Sequence, residues 1–152
     1  MDKPTVFRDV SWIVSWDRDK DSHSYIKDSD FVFQGDRIVQ VGGKFESEGV
    51  IEINGAGLMI MPGLINIHSH PLSEPLSKGF GEDTGNPKLG MSGLYDYMPV
   101  YGPDLDDMAT CAEVAYAELL LSGVTTLADL SIPYPGWLDL LSQSGLRGIV
   151  AP

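Results

Sequence analysis

The chain has 152 residues, 43% hydrophobic and 21% charged, a balance that suits a globular fold with its own core. A formal charge of −12 argues against nucleic-acid binding, which draws its affinity from Lys and Arg neutralising phosphates. No run reaches the roughly 18 apolar residues of a membrane span, and Asp2, Lys3, Arg8 and Asp9 stand where a signal peptide would carry its apolar core.

A cytoplasmic protein with neither membrane nor nucleic-acid partner is therefore expected. In chain order, residues 6–14 are rich in β-formers and predict a strand. Residues 15–30 carry Asp17, Asp19, Asp21, Asp28 and Asp30 with a few basic residues, and they read as a solvated loop. Residues 31–34 and 37–41 then face each other across Gly35-Asp36, a two-residue hairpin loop with glycine first, and residues 50–53 form a third short run. Residues 1–57 are thus a small β-module.

After Gly57 the periodicity changes, and residues 58–152 read as alternating strands and helices. An apolar strand ends at His70, broken off upstream by Pro62-Gly63 and stopped by Pro71. A polar, glycine-rich loop over 72–103 leads to a helix over about 106–122. Asp104, Asp106 and Asp107 suit its positive N-terminal end, Met108, Cys111, Ala115 and Leu119 recur at helical spacing, and Gly123 closes it. The single cysteine, Cys111, excludes an internal disulfide and a cysteine zinc cluster, and its place in the helix pattern predicts a buried structural thiol. A strand over 124–130, a short helix over 136–144 and a strand over 146–151 follow. Such alternation implies parallel pairing with right-handed crossovers. It fits either a small doubly wound sheet or the opening of an eight-stranded βα barrel, which needs about 200 residues or more. With three strands after the β-module, this chain is not expected to close a barrel.

The chemistry gathers at the end of the first of those strands. Residues two apart on a strand project from one face, so His68 and His70 can meet one cation while Ile67 and Ser69 point the other way. Imidazole is a common ligand for zinc and also suits iron and nickel. A catalytic zinc normally keeps three protein ligands, so more must come from elsewhere. His23, set among Asp21, Ser22 and Ser24, reads as a solvent-facing residue and not a ligand.

The run Pro62-Gly63-Leu64-Ile65-Asn66-Ile67-His68-Ser69-His70 resembles the amidohydrolase superfamily, specifically its cytosine-deaminase and chlorohydrolase-like branch. Gly35-Asp36-Arg37-Ile38-Val39-Gln40-Val41-Gly42 is similar to the family's β-hairpin, and Ile53-Asn54-Gly55-Ala56-Gly57 stands at its usual place before the motif. Leu119-Leu120-Leu121-Ser122-Gly123-Val124-Thr125-Thr126 resembles its first helix-to-strand junction, so the likeness covers nearly the whole chain.

The resemblance implies an α/β protein. Residues 1–57 would be part of a β-sandwich subdomain completed by C-terminal strands, and residues 58–152 the first βα units of a metal-dependent TIM-type barrel, incomplete in this chain. It implies one divalent metal ion, zinc first and iron as the alternative, held by His68 and His70. The family's other ligands, later histidines and a proton-accepting aspartate, would lie beyond Pro152.

The expectation is an N-terminal portion of a hydrolase, inactive by itself and in need of the remainder of the barrel. The complete enzyme would be a homo-oligomer acting on a small-molecule substrate. The favoured reaction is hydrolytic deamination or dechlorination of a nitrogen heterocycle by a metal-activated water. Hydrolysis of a cyclic amide or N-acyl amide is one alternative, and a non-catalytic fragment or scaffold is another.

Barrel active sites use the loops after the strands, which brings in Lys78 as a substrate contact or a solvated lysine. Asp129 is either a partner orienting a ligand histidine or a cap on the following turn, and Glu74 carries the same two readings. Gly93-Leu94-Tyr95-Asp96-Tyr97-Met98-Pro99 lacks the Trp-Leu of adenosine-type deaminases, which argues against nucleoside deamination. Tyr95, Tyr97 and Tyr101 would either line a pocket for a planar ring or pack the loop.

Overall fold

The computed structural model describes residues 2–78 and 100–151. The chain divides into two compact units, Met1–Pro62 and Gly63–Pro152, each with its own sheet.

The first unit contains β1 (Thr5–Asp17), β2 (Ser22–Gln34), β3 (Arg37–Val41), β4 (Ile51–Asn54) and β5 (Met59–Ile60). The strand order is β3-β2-β1-β4, with β5 also on β1. β1 and β2 pair antiparallel from Thr5↔Phe33 to Asp17↔Ser22, whereas β4 and β5 run parallel to β1. Val6, Val10, Ile13 and Val32 fill the core. The Gly35-Asp36 hairpin joins β2 to β3, with Gln34 paired to Arg37 and Gly35 at φ 57°, a conformation that favours glycine.

The loop expected over residues 15–30 is instead the far half of the β1–β2 hairpin. Ile13↔Ile26, Val14↔Tyr25 and Trp16↔His23 are cross-strand pairs, and the chain reverses where Asp17 Oδ1 accepts the N–H groups of Asp19 (3.1 Å) and Lys20 (3.2 Å). Asp17, Asp28 and Asp30 lie on these strands beside Trp16, Tyr25 and Ile26, and Asp30 is fully buried, so the acidic count hid a strand pair. Leu58–Pro62, read from the sequence as the start of the second unit, stays with the first sheet because Met59 and Ile60 pair with Trp12 and Ile13.

The second unit is α/β. β6 (Leu64–Ser69), β7 (Val124–Asp129) and β8 (Arg147–Val150) form a parallel sheet in the order β6-β7-β8. Its helices are α1 (Glu74–Ser77), α2 (Met108–Leu121) and α3 (Trp137–Ser144). α2 buries Met108, Cys111, Ala112, Ala115 and Tyr116, and its core side meets Leu127, Trp137, Leu141 and Leu146. Cys111 is buried as expected, and burial, with a smaller contribution from Asp107, pushes its thiol pKa up.

The segment after His70, expected to be irregular, begins with the helical turn α1, started by the Glu74 N–H donating to the His70 carbonyl at 3.0 Å. Tyr95 and Tyr97 lie outside the described residues. Among the described residues no helix is long and apolar enough to cross a membrane.

Candidate metal centre

β6 is pinned against β7 at both ends. The Leu64 N–H donates to the Gly123 carbonyl and the Leu130 N–H to the Ser69 carbonyl, each at 2.9 Å. At the start of β6 the backbone passes so close to Thr125 that a Cβ on Gly63 would overlap that side chain. At its end Ser69 is fully buried and His68 and His70 are exposed.

The two imidazoles converge. Their Nε2 atoms lie 3.0 Å apart and their ring centroids 5.0 Å apart, with the planes inclined at 68°. Zinc–nitrogen bonds of about 2.0–2.1 Å at a tetrahedral angle would set two ligand nitrogens about 3.3 Å apart, close to what is found. Among the described residues no group of three or more His, Cys, Asp or Glu side chains is placed to hold a metal. The donor set therefore fits two ligands of a zinc-type site and not a closed one.

The peptides that carry these rings are themselves held. Asn66 Oδ1 accepts the His68 N–H at 3.0 Å, and Glu74 Oε1 accepts the His70 N–H at 2.9 Å and the Ser69 hydroxyl at 3.1 Å. Asn66 was not singled out from the sequence. Its signal was there: a short amide readily bonds the backbone N–H two residues ahead of it.

The other candidates have partners of their own. His23 packs edge-on against Trp16 in the first unit, with ring centroids 5.1 Å apart. Lys78 pairs through Nζ with Glu118 Oε2 on α2. Asp129, fully buried at the end of β7, accepts hydrogen bonds from the Tyr116 hydroxyl (2.5 Å), Trp137 Nε1 (3.0 Å) and the Ser131 N–H (3.0 Å). The bond to Ser131 caps the turn after β7, and the other two tie the strand to α2 and α3. Neither histidine is among these partners. Burial, and then the bond to Asp129, pushes the Tyr116 phenol pKa up, so it stays a donor.

No protein-family model matches the chain. In sequence it is 32% identical over 118 residues to 5-methylthioadenosine/S-adenosylhomocysteine deaminase 2 of Archaeoglobus fulgidus, a match covering 76% of this chain and 27% of that one. It is 29% identical over 135 residues to 8-oxoguanine deaminase of Pseudomonas aeruginosa, covering 78% and 29% of the two chains. In fold it is similar to atrazine chlorohydrolase TrzN from Arthrobacter aurescens TC1 complexed with zinc. That likeness has a TM-score of 0.66 and 24% identity, covering 97% of this chain and 35% of that one. The chain thus spans less than a third of the length of both curated relatives. Sequence kinship to deaminases along most of the chain, joined to a fold shared with a chlorohydrolase, makes the chain a member of the amidohydrolase superfamily.

Proposed function

We propose that the chain supplies the first two metal ligands, His68 and His70, of a metal-dependent hydrolase that deaminates or dechlorinates a nitrogen heterocycle. The observation that carries this reading is the approach of the two Nε2 atoms to 3.0 Å on one side of β6. It is supported by relatives that are deaminases and by a structural neighbour complexed with zinc.

On this reading β6, β7 and β8 open a TIM-type barrel, whose active sites lie at the C-terminal ends of the strands. The first unit belongs to a β-sandwich subdomain. Zinc is the favoured ion, with iron the alternative, because two neutral imidazoles suit both. When bound, the cation supplies an activated water and charge stabilisation at the attacked carbon. His68 and His70 hold it through Nε2, and Asn66 fixes the backbone from which the His68 ring projects. Further ligands and the proton-accepting group come from residues outside those described. The working enzyme is a cytoplasmic homo-oligomer on a small-molecule substrate.

The test is replacement of His68 or His70 by alanine in the intact protein, with bound metal and release of ammonia or chloride measured on the same samples. Both are expected to fall together, by at least about 100-fold in turnover, since the imidazoles act through the ion. Full turnover by a metal-free His68→Ala protein would overturn the reading.

A further inference from the structure

The peptides on both sides of the His70 Cα are closed into a ring of hydrogen bonds built around Glu74. On one side, Glu74 Oε1 accepts the His70 N–H at 2.9 Å. On the other, the His70 carbonyl accepts the N–H groups of Ser73 and Glu74, each at 3.0 Å. The same carboxylate oxygen accepts the hydroxyl of Ser69 at 3.1 Å, and Ser69 is itself anchored, its carbonyl taking the Leu130 N–H at 2.9 Å. Glu74 therefore bonds both the last residue of β6 and the residue after it. His70 follows the strand and has no place in the ladder to fix its φ and ψ. Its N–H is held instead by the Glu74 side chain and its carbonyl by the backbone of the turn that follows. An ionised carboxylate suits two donors at once, since hydrogen bonds to a charged acceptor are roughly twice as strong as neutral ones.

We propose that Glu74 is a positioning residue of the metal centre, a carboxylate that locks the His70 peptide so that its imidazole meets that of His68 before a cation arrives. The proposal rests on reading His68 and His70 as metal ligands. A ring held in place beforehand loses less freedom on binding. Groups that orient ligands from outside the ligand set typically change metal affinity 10–100-fold.

Two variants of the intact protein separate positioning from simple support of the fold. Glu74→Met keeps the length of the side chain and removes the acceptor, whereas Glu74→Gln keeps an oxygen for both donors. Three quantities are measured for each: zinc affinity by competition with a chromophoric chelator, the visible spectrum of the cobalt(II) form, and thermal unfolding of the metal-free protein. Glu74→Met is expected to bind zinc about 10-fold or more weakly and to show an altered cobalt spectrum, with Glu74→Gln recovering most of the affinity. A lowered unfolding temperature with unchanged affinity and spectrum would overturn the proposal.

If Glu74→Met does not fold, Ser69→Ala decides. It removes one donor to the same oxygen, so weaker zinc binding supports the positioning role and unchanged binding overturns it. His68→Ala distinguishes the two levels of the argument. Zinc affinity insensitive to His68→Ala removes the ligand reading and this proposal with it. Affinity that depends on His68 but not on Glu74 removes the positioning role alone.

Discussion

Asp30 and Asp129 are both fully buried carboxylates, satisfied by different chemistry. Around Asp30 stand Arg8 Nη1 at 2.7 Å and the N–H groups of Phe45 at 2.9 Å and Asp9 at 3.2 Å. Burial works to raise the Asp30 pKa, but the Phe45 N–H, Arg8 and the Asp9 N–H outweigh it and hold the pKa below the ordinary 3.8. A depressed carboxylate pKa contributes stability that is complete above the unfolded value and lost as pH falls through the folded one. The stability gap between the wild type and Asp30→Asn should therefore be constant near neutral pH and shrink below about pH 4. Urea titrations at several pH values check this, and a gap unchanged down to pH 2 would refute it. Asp129 has three neutral donors and no cation within its set. Asp129→Ala leaves those donors buried without an acceptor, so a loss of about 3 kcal/mol or more is expected, read from urea unfolding followed by tryptophan fluorescence.

At the scale of elements, the start of β6 depends on a missing side chain. A Cβ at residue 63 would meet Thr125 Cγ2 and Oγ1, and Thr125 cannot retreat because its neighbours Val124 and Thr126 are paired to Leu64 and Ile65. Gly63→Ala should cost about 1–3 kcal/mol, as overpacking does, in chemical denaturation. Gly63→Ala as stable as the wild type would show that the strands part freely. That Pro62-Gly63 starts this strand was legible from punctuation, and α2 was legible from its apolar spacing and closing glycine, whereas α1 was not foreseen. The far half of the β1–β2 hairpin was not, because residues 15–30 mix Trp16, Tyr25 and Ile26 with five aspartates in no period of two, and only the cross-strand register pairs them. The same division runs through the site. The histidine pair follows from a spacing of two. The contact of Glu74 to the His70 peptide depends on how the backbone turns after β6, which no local pattern encodes, whereas Asn66 bonds only two residues ahead.

At the scale of the whole chain, the parallel sheet presents apolar side chains to water. Ile65 is 67% exposed, Ile67 81% and Ile149 67%. Parallel sheets are ordinarily covered on both faces, and contiguous apolar surface of this kind drives association. Opposing it is a net charge of −12, whose self-repulsion weakens as salt shortens the screening length from about 30 Å at 0.01 M to about 8 Å at 0.15 M. The polypeptide of these 152 residues, expressed by itself, should therefore associate reversibly, and more strongly at the higher salt. Light scattering across a concentration series at the two ionic strengths measures this. Ile67→Lys sets a charge on the most exposed of these isoleucines and adds no bulk to the core, so it should weaken association while leaving the unfolding transition in place. A monodisperse monomer at both salts would show that the apolar face is tolerated in water, and association undiminished in Ile67→Lys would move the contact away from β6.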